Sequence, residues 1–412
     1  MVISGWYGMG NLGDEVILQS MVSALKSRLG EVSFTGLSEK PGRLKSDYRV
    51  NSIRNSTRRI DFARKVFAIA RADAFILGGG GILMDYGKTD TNVSKWLADM
   101  DIAQRLGVHN LAWGVGVGKV WTAESKRWIA DVLPRSDRVS VRDKESAAAL
   151  SALDVSRGVA VTCDPALLLP SIESARDRRA KRGPTQSSPR VLVCMRHWHV
   201  AGDWTQDEAV FSRVEAALAS LADYLSAIKG ASLTFVPFRT EGKDDDDREV
   251  GEQVKALLKG GAPPILVDHV PRADEFLKLA VDADLVIGMR LHSLVLASAV
   301  GVPCLALSYD PKVRNFMTSI GADDWVLSME DASFEALRRM ADAALAGGYP
   351  SALIGERIAG AQRLGKDDID RAVELIGLDG GLSRRAGRLI AAAGLTVRNI
   401  FSGRRRARKT PG

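Results

Sequence analysis

Cysteine is scarce in this chain of 412 residues: Cys163, Cys194 and Cys304 are the only three. Thiols so few and so scattered exclude a disulfide framework and a thiolate zinc site. Each follows or sits inside an apolar run, so buried, reduced thiols in a reducing, cytoplasmic compartment are expected. Long hydrophobic runs are missing as well. The longest uncharged apolar stretch, from Ser293 to Tyr309, is cut by Gly301-Val-Pro303 and reads as a buried helix followed by a strand, not a membrane span. The opening Met1-Val-Ile-Ser-Gly-Trp-Tyr-Gly8 has neither a basic start nor a long apolar stretch, so no secretory leader is expected. Carboxylates are absent from residues 383–412, which hold Arg384, Arg385, Arg388, Arg398, Arg404, Arg405, Arg406, Arg408 and Lys409. This tail accounts for the whole net charge of +7 and leaves the body near neutral. Nucleic acid is therefore not expected as a partner.

What is present is the composition of a folded chain, 46% apolar and 26% charged, long enough for two or three domains. The recurrent unit is a short apolar run, a Gly-rich or polar turn, then an amphipathic helical pattern. Strands are predicted at residues 2–4, 32–37, 74–77, 110–113, 138–141 and 159–162. A second series falls at 190–195, 232–236, 265–267, 285–287, 304–308 and 325–327. Helices between them include 15–29, 94–106, 144–153, 208–228, 248–258 and 334–345. This alternation implies an α/β chain with parallel sheets. Residues 170–189 interrupt it with prolines, charges and almost no large apolar side chain. The expected division is a Rossmann-like domain at 1–170, a linker at 171–189, a second Rossmann-like domain at 190–382, and a basic helix and tail at 383–412. The two domains are expected to face a cleft.

In open α/β sheets, ligands bind beyond the carboxyl ends of the strands. The first strand is followed by Gly5-Trp6-Tyr7-Gly8-Met9-Gly10-Asn11-Leu12-Gly13-Asp14-Glu15, glycines ahead of a helix start, where backbone can approach an anion. Asp14 there reads equally as a helix N-cap. Gly78-Gly79-Gly80-Gly81 and Gly114-Val-Gly116-Val-Gly118 read as Gly-rich turns on the same edge. Arg142 is the first residue past a strand, where a guanidinium suits a carboxylate or phosphate; the plain alternative is an ion pair with Asp143 or Glu145. Asp164 is a candidate interdomain cap.

In the second half, Gly288-Met289-Arg290-Leu291-His292-Ser293 places a cation and an imidazole at a strand-to-helix junction between buried runs. His292 there is a candidate general acid. Lys312 opens the helix after Tyr309-Asp310-Pro311. Arg196-His197-Trp198-His199 with Asp203 and Trp204 suggests a loop in which aromatic faces cover a sugar. The His-x-His pair lacks the further ligands that zinc requires, and no metal is expected. The acidic run 244–247 reads as a solvated loop.

Taken in order, these motifs resemble the polysaccharide pyruvyl transferase family. The matching residues are Gly5 to Gly8, Gly10 to Glu15, Gly78 to Gly81, Val139-Ser-Val-Arg142-Asp-Lys-Glu-Ser146, Asp164-Pro-Ala-Leu-Leu168, Arg196 with Trp198, Gly288-Met-Arg290-Leu-His292-Ser, and Tyr309-Asp-Pro-Lys312-Val313. The resemblance implies a GT-B fold and transfer of the enolpyruvyl group of phosphoenolpyruvate onto two hydroxyls of a sugar, giving a cyclic ketal and phosphate, with no cofactor. It implies that Arg142, Arg290, Leu291 and His292 line the phosphoenolpyruvate site, with Lys312 nearby. Catalytic roles are expected for His292, Arg290 and, as base, Asp203 or Asp14. The acceptor, a sugar or lipid-linked glycan, is expected at Gly10, Asn11, Asp14, Gly79, Gly80, Arg196 and Trp198. The tail lies outside the family pattern. It is expected either to pack as a final helix or to dock on an anionic inner membrane surface. A nucleotide-sugar glycosyltransferase and a non-catalytic, membrane-associated glycan-binding protein are the alternatives.

Overall fold

A computed structural model describes residues 1–90, 92–182, 188–198, 208–241, 245–377, 388–389 and 391–396. The elements are, in order, β1 (Val2–Ser4), α1 (Leu12–Leu29), β2 (Thr35–Ser38), α2 (Pro41–Tyr48), β3 (Asn51–Arg54), α3 (Arg59–Arg71), β4 (Ala74–Leu83), α4 (Asn92–Arg105), β5 (His109–Val117), α5 (Ala123–Val132), β6 (Arg138–Val141), α6 (Lys144–Ser151) and β7 (Val159–Val161). There follow α7 (Ser171–Lys181), β8 (Arg190–Cys194), α8 (Glu208–Lys229), β9 (Ser232–Phe235), α9 (Asp247–Ala256), β10 (Ile265–Leu266), α10 (Ala273–Asp282), β11 (Leu285–Gly288), α11 (Leu291–Ala299), β12 (Cys304–Ser308), α12 (Pro311–Ser319), β13 (Val326–Ser328), α13 (Phe334–Leu345) and α14 (Ser351–Gly377).

The chain forms two compact units. The first comprises Met1–Met9, Met21–Asp164 and Lys366–Gly412; the second comprises Gly10–Ser20 and Pro165–Gly365. The first holds a parallel sheet in the order β3-β2-β1-β4-β5-β6-β7. The second holds a parallel sheet in the order β10-β9-β8-β11-β12-β13. Each order reverses once, between β1 and β4 and between β8 and β11, and such reversal points open a crevice at the carboxyl ends of the strands. The central strands carry apolar residues on both faces, as parallel strands covered by helices must. In β11 all four residues of Leu-Val-Ile-Gly are buried. Polar caps set the helix starts: Thr122 accepts from the Ser125 N–H at α5, Asp143 from Ser146 at α6, and Ser333 from Ala336 at α13. All three cysteines are buried.

The structure departs from the sequence reading at several points. The strand β3, exposed at both ends, lacks an apolar run and escaped detection. Neither Gly-rich segment is simply a turn, because β4 runs through residues 78–81 and β5 through Gly114 and Gly116. Gly79 and Gly80 take positive φ values of 31° and 80°, just before the ladder to β5 shifts register between Gly80 and Leu83. Only glycine supplies that bend without strain.

The segment expected as a linker at 171–189 contains α7 instead. Its Ile172 and Ala175 are buried, and its Arg176 donates to the Ala299 carbonyl at 3.0 Å. Arg179 and Arg182 donate to the Ala283 carbonyl, and Arg182 pairs with Asp284 at 2.9 Å. A helix held by arginines looks charged and loop-like in sequence, which is why it was misread. The domain end expected at 382 also lies elsewhere, since residues from Lys366 onward belong to the first unit. Arg138 pairs there with Asp368, and Ala392 is buried in the same core as Val66, Ile69 and Trp96. In the basic segment, Ala392 and Thr396 are buried while Leu389 is exposed. The rest of 383–412 lies outside the described residues.

Candidate functional site

In the second unit, four strand ends supply a dense polar cluster. β8 leads into Arg196, β9 into Arg239, β11 into Arg290, and β12 into Tyr309 and Asp310. The backbone joins them: the N–H groups of Met289 and Arg290 both donate to the Cys194 carbonyl, across the reversal point between β8 and β11.

Arg290 is the N-cap residue of α11 and only 7% exposed. Its Nε donates to Asp247 Oδ2 at 2.9 Å, and its Nη2 to Asp247 Oδ1 at 2.5 Å and to Asp245 Oδ1 at 3.0 Å. Burial opposes the guanidinium charge, but Asp247 and then Asp245 outweigh it and hold Arg290 firmly protonated. Asp247 is itself braced, accepting from the backbone N–H groups of Phe238 and Arg239 at 2.9 and 3.0 Å. This corrects the reading of 244–247 as a solvated loop: Asp247 is buried and Asp245 binds Arg290, Arg196 and Arg239. The available signal was four acids in a row just past the β9 strand end, opposite strand-end arginines. The hydrogen bonds of Arg290 among the described residues leave from Nε and Nη2.

Tyr309 links the remaining cations. Arg196 lies over its ring at 5.0 Å and donates through Nη1 to its hydroxyl at 3.0 Å. Lys312 Nζ lies 5.3 Å from the same ring and 3.0 Å from Asp310. Asp310 also caps α12, where Pro311 takes the first position. Burial would raise the Tyr309 phenol, but the charges of Lys312 and Arg196 outweigh it and hold it below its usual range. For Lys312, Asp310 outweighs burial and holds the ammonium above its usual range. In the sequence, Tyr309 carries no mark beyond its place just past a strand end.

His292 sits one residue into α11, half-buried, with Leu291 buried beside it. Its imidazole lies against α1, so closely that a Cβ on Gly13 would come 2.1 Å from Nδ1. The start of α1 is held in this unit. Leu12 N–H donates to the Phe238 carbonyl at 2.9 Å, and Asn11 bridges to Arg239. Asn11, not Asp14, caps the helix: its Oδ1 accepts from Gly13 N–H, while its Nδ2 donates to Asp14 at 2.7 Å. Gly10 precedes it with a φ of 74°.

The structure therefore brings together Arg290, His292, Lys312, Arg196, Gly10, Asn11 and Asp14 in one unit. It does not support Trp198 as an exposed sugar platform, because that side chain is 8% exposed and packs 6.4 Å from the Phe211 ring. Asp203 lies outside the described residues.

Arg142, Gly79 and Gly80 belong to the first unit. The Arg142 guanidinium lies flat on β5, where a Cβ on Gly116 would approach its Cζ to 2.8 Å, so a side chain there would displace it. It pairs with Asp143 at 3.1 Å and Asp164 at 3.3 Å. Asp164 is thus a partner of Arg142 within one unit.

A family model described as polysaccharide pyruvyl transferase matches residues 11–311 of the chain. No curated protein matches it in sequence. Among solved structures, UDP-GlcNAc 2-epimerase from Methanocaldococcus jannaschii is similar over 90% of this chain and 99% of its own, at 13% identity and a TM-score of 0.58. The Neisseria meningitidis UDP-GlcNAc 2-epimerase bound to UDP-GlcNAc matches over 90% and 99%, at 12% identity and a TM-score of 0.55. A ugt transferase from Siraitia grosvenorii in complex with UDP covers 91% and 99%, at 12% identity and a TM-score of 0.54. These likenesses establish the GT-B fold, two Rossmann-like domains in one chain.

Proposed function

The chain belongs to the polysaccharide pyruvyl transferase family, and from that premise we propose that it transfers the enolpyruvyl group of phosphoenolpyruvate to two hydroxyls of a sugar, forming a pyruvate ketal. The observation that carries this reading is the strand-end cluster in which Arg196, Arg239, Arg290 and Lys312 face Asp245, Asp247 and Asp310, one cation in excess, with His292 at the adjoining helix start. A carboxylate and a phosphate on one small donor call for such a cluster, and planar guanidinium groups suit both.

In this mechanism Arg290, through Nη1, and Lys312 hold the donor's anionic groups. His292 delivers a proton to the vinyl CH2 carbon, which becomes the methyl group. The adjacent carbon turns electron-deficient and is attacked by one sugar hydroxyl. Phosphate leaves with the C–O bond electrons, and the second hydroxyl closes the ring on the same carbon. Of the two hydroxyl protons released, one restores the acid and one ends on phosphate. Asp14 or Asp203 is the base on the acceptor side. The reaction asks for no cofactor. The basic residues of 383–412 serve as a reversible attachment to an anionic inner leaflet near a lipid-linked acceptor.

The test is phosphate release from phosphoenolpyruvate by the purified chain with a panel of sugar and lipid-linked sugar acceptors, with the ketal methyl followed by NMR. Acceptor-dependent release is expected. Turnover of UDP-sugars with no response to phosphoenolpyruvate would overturn the reading in favour of a glycosyltransferase. The attachment is checked by vesicle co-sedimentation of the full chain against one ending at Gly403.

A further inference from the structure

The helix α3 turns Val66, Ile69 and Ala70 into the core of the first unit, yet leaves Ile60 61% and Phe67 37% exposed. Positions 60, 64, 67 and 71 recur at spacings of three and four, so Ile60, Arg64, Phe67 and Arg71 form one outward stripe. Arg58 and Arg59 are exposed at its start, and Arg54 is exposed at the end of β3 just before it. The helix's own carboxylate, Asp61, is buried, and Lys65 is occupied by Asp99. Among the described residues, no ion pair reaches Arg54, Arg58, Arg59, Arg64 or Arg71.

Five arginines call for an anionic partner, and the interleaved Ile60 and Phe67 call for an apolar one. A soluble polyanion would satisfy the first and leave the second in water. A bilayer with anionic headgroups satisfies both, because interfacial helices set apolar side chains into the headgroup boundary while basic ones meet the phosphates. The C-terminal segment adds to the same region: Arg388 donates to the carbonyl of Ala72, the C-cap residue of α3, at 3.2 Å. Two weak signals together give stable attachment where one does not.

We propose that the outward face of α3, with Ile60 and Phe67 among Arg54, Arg58, Arg59, Arg64 and Arg71, docks this protein on an anionic lipid bilayer. This goes beyond the reaction proposed above and does not rest on it. The experiment is co-sedimentation of the full chain, without substrate, with phosphatidylcholine vesicles and with mixed phosphatidylcholine–phosphatidylglycerol vesicles, at low and high salt. The tail stays intact in every variant. The wild type is expected to bind only the mixed vesicles and to release in salt. Arg59→Glu/Arg64→Glu/Arg71→Glu should lose on the order of a hundredfold in partitioning. Ile60→Ser/Phe67→Ser should lose several-fold and keep the salt dependence, and both should melt as the wild type does. Binding of both variants at the wild-type level, or no vesicle binding by the wild type, would overturn the proposal. Loss in the arginine variant with full retention in the serine variant would also overturn it, in favour of a soluble-polyanion surface.

Discussion

Exchanging Arg290 for lysine keeps the charge and loses the fork. A single ammonium cannot span both oxygens of Asp247 and reach Asp245, as Nε and Nη2 do together. Arg290→Lys should therefore lower both stability and turnover. Arg290→Ala, which strands Asp247 in a buried site, should cost about 3–5 kcal/mol in denaturant unfolding. Unchanged denaturation with normal phosphate release in the lysine variant would remove Arg290 from the site. His292→Gln tests the proton delivery: a loss of roughly 10²–10⁴ in rate with little change in donor affinity is expected. If donor binding vanishes while the saturated rate is normal, His292 only binds. These two residues were legible in the sequence because a strand-to-helix junction between apolar runs leaves a charged side chain few places to go. Asp247 was not, since an acidic run carries no mark that separates a solvated loop from a buried counter-ion. Trp198 misled for a related reason: an aromatic in a polar loop looks available, but here Phe211 covers it.

At the scale of the element, α1 and α11 meet through Gly13 and His292, and this contact sets two rules against each other. Alanine in place of glycine inside a helix favours folding by about 1 kcal/mol. Yet a Cβ at Gly13 would lie 2.1 Å from the His292 Nδ1. Pushing the ring aside costs about 1–3 kcal/mol, more than the helix gains, so Gly13→Ala is expected to melt lower than the wild type and to turn over more slowly. Equal activity in the two would show that the imidazole position does not matter. The helix α8 offers a pH test away from the site. Burial alone would raise the Asp223 carboxyl, but the N–H groups of Lys259, Gly261 and Gly260 outweigh it and hold it below its ordinary value of 3.8. A depressed carboxylate stabilises the fold above the unfolded value and loses that contribution as pH falls through the folded one. Asp223→Ala should thus melt lower than the wild type at neutral pH, and the gap between the two melting curves should close as pH falls below 3.8. Strands of the sheet interiors were readable from their apolar runs. The exposed β3 and the arginine-bound α7 were not, because their stability comes from neighbours distant in sequence.

For the whole molecule, alternation of strand and helix was enough to give two parallel sheets, but not the assignment of the chain to them. The first unit is completed by residues after 365, through the Arg138–Asp368 pair and the burial of Ile369, Ala372 and Ala392. Asp368→Ala should therefore unfold the first unit more easily, by about 3 kcal/mol, with denaturant unfolding as the measurement. No periodicity in residues 366–396 says which sheet they will cover, so that part of the architecture could not be read in advance. The same arrangement governs the order in which the units can be finished during synthesis. A ribosome releases the strands of the first sheet well before the residues that seal that core. The second unit has all its residues once position 365 has emerged, while the first stays partly open until residues 366–396 follow. A stop or frameshift just after position 365 would leave the half whose strands emerged first as the unfinished one.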